Sequence, residues 1–137
     1  MTGVQDEPNP KDLLEAVIRF LRDMALPQLD ARAAFDARIA GNLLRIVQRE
    51  AALAPVTWAS ELERLRALLE QDGDDVDALN RTLCEGIADG RIAANDQKLI
   101  DHLWVATLAK LAVDQPNHST YQRVLAAAAS PSPGEST

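Results

Sequence analysis

The chain has one cysteine, Cys84, so an internal disulfide is excluded. Aromatic residues are scarce, with two Trp, two Phe and one Tyr among 137 residues. Basic residues are the minority: 14 Lys and Arg against 21 Asp and Glu give a formal net charge of −7. That balance argues against nucleic acid and anionic membrane surfaces as partners. No apolar run reaches the ~18 residues that a membrane span requires. The opening MTGVQDEPNP is acidic and polar, without a hydrophobic signal region, so a cytoplasmic protein is expected. Strict apolar–polar alternation is missing, which argues against strands. There is no glycine-rich phosphate loop and no G-x-S-x-G elbow. His102 and His118 stand alone, with no second His, Cys or carboxylate at a zinc spacing. The acidic run Asp72 to Asp77 lacks the central glycine and terminal Glu of a calcium loop. Neither a metal nor a cofactor is expected, and no catalytic constellation is visible.

What is present suits helices: Ala, Leu, Arg, Asp and Glu dominate. The expected fold is all-α, a compact bundle of five main helices forming one domain over residues 9–129. A flexible segment over 1–8 and a disordered tail over 130–137 flank it. The first helix starts at the N-cap Asn9 with Pro10 next, turns Leu13, Leu14, Val17, Ile18, Leu21 and Met24 inward, and ends at Pro27. The second runs from about Asp30 to Leu53 on a stripe of Phe35, Ile39, Leu43, Ile46 and Leu53, and stops before Pro55. A short third, capped by Thr57 or Ser60, turns Leu62, Leu65, Leu68 and Leu69 inward. The fourth spans about Asp75 to Asp89, with Val76, Leu79, Leu83 and Ile87 inward and Gly90 closing it. The fifth spans about 96–114, and a short helix over Thr120 to Ala129 comes after it. In that fifth helix, eleven of the fifteen residues from Leu99 to Val113 are apolar and point in every direction. Such a helix is expected at the centre, covered by the others.

A few polar residues sit on apolar arcs. Lys110 falls between Leu99 and Leu103 on the wheel, near Thr107 and Asp114. Glu50 lands inside the apolar arc of the second helix, and a buried Glu50–Lys110 pair is the expectation, since a lone buried charge costs several kcal/mol. Lys110 and Asp114 are also an i, i+4 pair, and Asp114 is placed to anchor the loop after the helix. Asn42 lies at the edge of the second helix's arc, and Asn80 inside that of the fourth. Arg38, Arg45 and Arg49 line one flank as a basic row. Three readings of the row stand side by side: stems covering apolar surface with heads in water, a subsite for a phosphate or carboxylate, and a partner-protein contact. His102 reads as a polar spot on a buried helix and Cys84 as a small core residue.

Four segments taken together resemble a known family. They are Asp12-Leu-Leu-Glu-Ala-Val-Ile-Arg-Phe-Leu21, Arg38-Ile-Ala-Gly-Asn-Leu-Leu-Arg-Ile-Val-Gln-Arg-Glu50, Leu79-Asn-Arg-Thr-Leu-Cys-Glu-Gly-Ile87, and the stretch from His102 through Lys110-Leu-Ala-Val-Asp-Gln-Pro-Asn117. In order and spacing they are similar to a bacterial family of small helical proteins, domain-of-unknown-function family 6285. The resemblance implies association with kinases resembling aminoglycoside phosphotransferases and with acyl-CoA dehydrogenases. It further implies a companion subunit for a kinase that phosphorylates hydroxyacyl-CoA thioesters, in hydroxyacyl-CoA or hydroxy-acid catabolism. It transfers no catalytic residue to this chain.

Three functions stand as expectations. The first is a non-catalytic accessory subunit that binds and supports such a kinase. The second is a small-molecule binder for CoA or acyl-CoA, with a pocket lined by Asn42, Asn80, Thr107 and Lys110. An enzyme in its own right, built on Lys110, Asp114, Glu50 or a histidine, is the least favoured. The excess of apolar surface on the fifth helix also fits a homodimer.

Overall fold

A computed structural model describes residues 9–129; the expected flexible segment over 1–8 and disordered tail over 130–137 lie outside the described residues. The protein is all-α. Its five α-helices are α1 (Pro10–Arg19), α2 (Ala31–Leu69), α3 (Val76–Ala88), α4 (Gln97–Asp114) and α5 (Ser119–Ala129), and no strand occurs among the described residues. The chain divides into two compact units, Met1–Pro55 and Val56–Thr137.

In the first unit, α1 begins where Asn9 Oδ1 accepts the Asp12 N–H at 3.0 Å. Past Arg19 the backbone widens into a π-helical turn, Phe20–Ala25, and then tightens into a 3₁₀ turn, Leu26–Gln28. Pro27 explains both departures. It has no N–H to return to the preceding turn, and its ring crowds the carbonyl four residues back. Gln28 Nε2 donates to Met24 O at 2.9 Å and satisfies one of the carbonyls left over. The first part of α2 runs antiparallel to α1. Gln48 Nε2 donates to Lys11 O at 3.2 Å and to the Glu15 carboxylate at 3.4 Å, while Leu21 and Leu26 share a cleft with Ala37 and Gly41.

The face of α2 that meets α1 is not the expected one. Ala34 is buried, and Ala33, Ala37, Ala40, Gly41 and Leu44 are half-buried. The stripe of Phe35, Ile39 and Leu43, continued by Val47, is exposed. Small residues let two helix backbones approach closely, and Ile18 of α1 fills the seam at 2 % exposure. Leu14 and Leu21 accompany Ile18, whereas Leu13, Val17 and Met24, expected inward, are exposed.

The helix does not stop before Pro55. It continues to Leu69 and absorbs the expected third helix. A proline removes one hydrogen bond and strains the residue before it, but it does not forbid helix where good helix formers flank it, here Ala51, Ala52, Ala54 and Ala59.

The second unit is built on Leu65, Leu79, Leu83 and Leu99, each at most 3 % exposed, with Leu62, Leu68, Leu69, Val76 and Ile92 packed around them. Glu70, at φ 50°, ends α2, and Arg66 reaches back to donate to Gly73 O. Asp75 caps α3, its Oδ1 accepting from Asp77 N–H at 2.9 Å and Ala78 N–H at 3.1 Å. Gly90 takes the left-handed conformation, φ 80°, just past the end of α3. At Gly86 a Cβ would stand 2.8 Å from Ile92 Cδ1, so the glycine is the space into which Ile92 packs. Gly86 thus occupies the inward position expected of Ile87, which is exposed. Cys84, expected in the core, is exposed as well.

Asp96 opens α4 by accepting the Lys98 N–H at 2.8 Å. Only Leu99 and His102 of α4 are buried, while Ile100, Leu103, Trp104 and Val105 are exposed. The expectation of a helix covered on all sides is corrected: α4 fully buries only Leu99 and His102, and in its C-terminal half Ala106, Leu108, Ala109, Leu111, Ala112 and Val113 are half-buried. Hydrophobicity all round shows that a helix tolerates contact on every side. It does not supply the contacts.

Candidate functional site

Three of the six residues singled out in the sequence as binding residues come together in the first unit. Arg38, Asn42 and Arg45, at i, i+4 and i+7, lie on one face of α2. They line a cleft of about 150 Å³ whose other walls are Ile18, Leu21, Arg22 and Leu26. Gly41 and Ala37 form its floor, and a Cβ on Gly41 would meet nothing within 4 Å. Arg22 joins from the π-helical turn, four residues after the buried Ile18 and so beside the same seam. Arg22 donates from Nε and Nη2 to the two oxygens of Asp23, at 2.6 and 2.9 Å, and this fork holds the Asp23 carboxyl below its ordinary pKa. Arg38 and Arg45 have no ion-pair partner among the described residues. Arg49, the third of the basic row, is half-buried and already engaged.

The first unit also carries a broad apolar surface. On α2, Phe35, Ile39, Leu43 and Val47 repeat every four residues at 57, 43, 57 and 49 % exposure. Four-residue spacing sets them in a row along one side of the helix. Leu13 and Val17 of α1 and Phe20 and Met24 of the π-helical turn are exposed at similar spacing. Single exposed apolar side chains are ordinary, but contiguous rows of them mark contact surfaces.

In the second unit a groove of about 330 Å³ is lined by Arg64, Ala67 and Leu68 from α2 and by Lys98, Asp101, His102 and Val105 from α4. His102 is 4 % exposed, and its Nδ1 is buried without a hydrogen-bond partner, as is Arg64 Nε. Burial pushes the imidazole below its usual pKa of 6.5; the Arg64 cation adds to the effect and the Glu61 carboxylate opposes it. His102 is therefore the polar group of the helix's buried face, the reverse of a polar spot on an otherwise covered helix.

The expected buried pair is corrected. Glu50 and Lys110 are both exposed, and Lys110 forms no ion pair among the described residues. On α4, Lys110 takes an exposed position between the half-buried Ala109 and Leu111. Asp114 is exposed too. The turn after α4 is held by Gln115 N–H to Leu111 O and His118 N–H to Gln115 O, each 2.9 Å. Asn80 is half-buried and donates to Glu61 Oε1 at 3.0 Å, tying α3 to α2, and Thr107 bonds back to Leu103 O at 2.7 Å. Asn42 belongs to the first unit, whereas Asn80, Thr107 and Lys110 belong to the second.

Among the described residues no group of three His, Cys, Asp or Glu is arranged to hold a metal ion, and no helix is long and apolar enough to cross a membrane. In comparison with known proteins, a family described as Domain of unknown function (DUF6285) fits residues 27–118, which take in α2, α3 and α4 and leave out α1. No curated protein and no solved structure matches the chain.

Proposed function

We propose that this chain, which belongs to the DUF6285 family, is a non-catalytic interaction subunit that docks a partner protein on the outward stripe of α2. One observation carries the reading: α2 buries Ala34 and shares a cleft with α1 along Ala37 and Gly41, while the large side chains of Phe35, Ile39 and Leu43 stay exposed in a row. A helix that served only its own fold would gain most by burying the large side chains, each favouring burial by about 1.5–3 kcal/mol. Leaving them outward is the pattern of a surface that another protein covers.

The partner to which the sequence resemblance points is a kinase resembling aminoglycoside phosphotransferases, working in hydroxyacyl-CoA or hydroxy-acid catabolism. The full chain, mixed with a purified kinase of that class from the same source, is expected to co-elute in size-exclusion chromatography. Ile39→Ser with Leu43→Ser is expected to weaken the complex at least tenfold, as truncation of central apolar anchors does. Elution and kinase turnover unaffected by the chain would exclude this partner.

A further inference from the structure

We propose that the cleft bounded by Arg38, Asn42 and Arg45 is a binding site for a phosphate group, free or as a terminal phosphomonoester. The inference is independent of whether a protein covers the apolar stripe.

Charge comes first. The whole chain carries a net −7, yet this cleft gathers three guanidinium groups. Arg22 is neutralised by Asp23, whose carboxylate is already held in a two-point fork, with Glu15 a weaker and more distant influence on the same guanidinium. Arg38 and Arg45 are left without a counter-ion among the described residues. Two like charges on one helix face repel each other, and the arrangement invites an anion.

Geometry comes next. Seven residues of helix separate Arg38 from Arg45 by about 10 Å along the axis. Arginine side chains are long enough to converge from both ends over Asn42, whose amide supplies a further donor. Fork-shaped guanidinium donors match phosphate oxygens two at a time. The floor of Ala37 and Gly41 lets the ligand approach the backbone of α2, and Ile18, Leu21 and Leu26 form an apolar wall that lowers the local dielectric and strengthens the charge contacts. A space of about 150 Å³ equals roughly five water molecules. It accommodates one phosphate group and leaves any larger attached body outside.

The test is thermal denaturation of the full chain in inorganic phosphate, in glycerol phosphate, in acetate and in chloride at equal ionic strength. Phosphate and glycerol phosphate are expected to raise Tm saturably, with little response to acetate or chloride. Tighter binding of glycerol phosphate would assign the natural ligand to an esterified phosphate, and equal or tighter binding of inorganic phosphate to the free ion. Arg38→Gln and Arg45→Gln are each expected to raise the phosphate Kd at least about tenfold. The exposed Arg81→Gln, in the second unit, is expected to leave it unchanged. Arg38→Lys, which keeps the charge and loses the fork, is expected to fall between, and it provides the reading if Arg45→Gln fails to fold. A response as large in acetate or chloride as in phosphate, or one that survives loss of both arginines, would overturn the proposal.

Discussion

His102 shows how one side chain can be placed for structure and still respond to its surroundings. Its ring is buried beside Arg64, so the protonated form is disfavoured in the folded chain and its pKa lies below 6.5. The groups facing it are Arg64 and Glu61 from α2 and Lys98 and Asp101 on its own helix. Proton binding sets the sign of the pH dependence. Below about pH 6.5 the unfolded chain takes up a proton that the folded chain refuses, so stability is complete above that pH and falls as the pH drops through the folded value. Denaturant midpoints measured from about pH 7.5 down to about pH 5.5, above the carboxylate range, are expected to decline in the natural protein and to decline less in His102→Gln. Equal slopes would show that the imidazole is not shielded. The sequence makes His102 conspicuous but suggests the wrong surroundings for it, because hydropathy ranks residues and does not report which side of a helix has a neighbour.

Element boundaries are legible wherever local chemistry decides them. Asn9, Asp75 and Asp96 each accept backbone N–H groups at a helix start, and Gly90 supplies the left-handed residue past α3. Pro55 is the exception. A proline flanked by strong helix formers is a weakness in a helix, not an end. Since α2 passes through it unbroken, Pro55→Ala restores a hydrogen bond to Ala51 O and is expected to raise stability by about 1–3 kcal/mol with little change in helix content. Loss of helix signal or of stability on denaturant titration would show that the proline is needed where it stands. The π-helical turn escapes the sequence pattern for a related reason. Nothing in the 3.6-residue periodicity marks where the backbone widens, although Arg22, four residues past Ile18, is placed beside the seam by spacing alone.

At the scale of the molecule, the all-α class and the core leucines 65, 79, 83 and 99 are readable from composition and periodicity. Helical spacing likewise brings Arg38, Asn42 and Arg45 to one face. The inner face of α2 is not readable in this way, because alanine and glycine carry little weight in any hydrophobic pattern while Phe35, Ile39 and Leu43 carry a great deal. Burial depends on what stands opposite, and a stripe meant for another chain looks like a core stripe in one sequence. The outward direction of that stripe is the central claim, and chemical denaturation of two variants tests it most directly. Phe35→Ser with Leu43→Ser is predicted to change stability by no more than about 0.5 kcal/mol, as exposed substitutions do, while Ala34→Leu is predicted to cost about 1–3 kcal/mol by overfilling the seam against α1. The opposite ranking, with the serine pair unfolding the protein and Ala34→Leu tolerated, would put the large side chains inside and contradict the account.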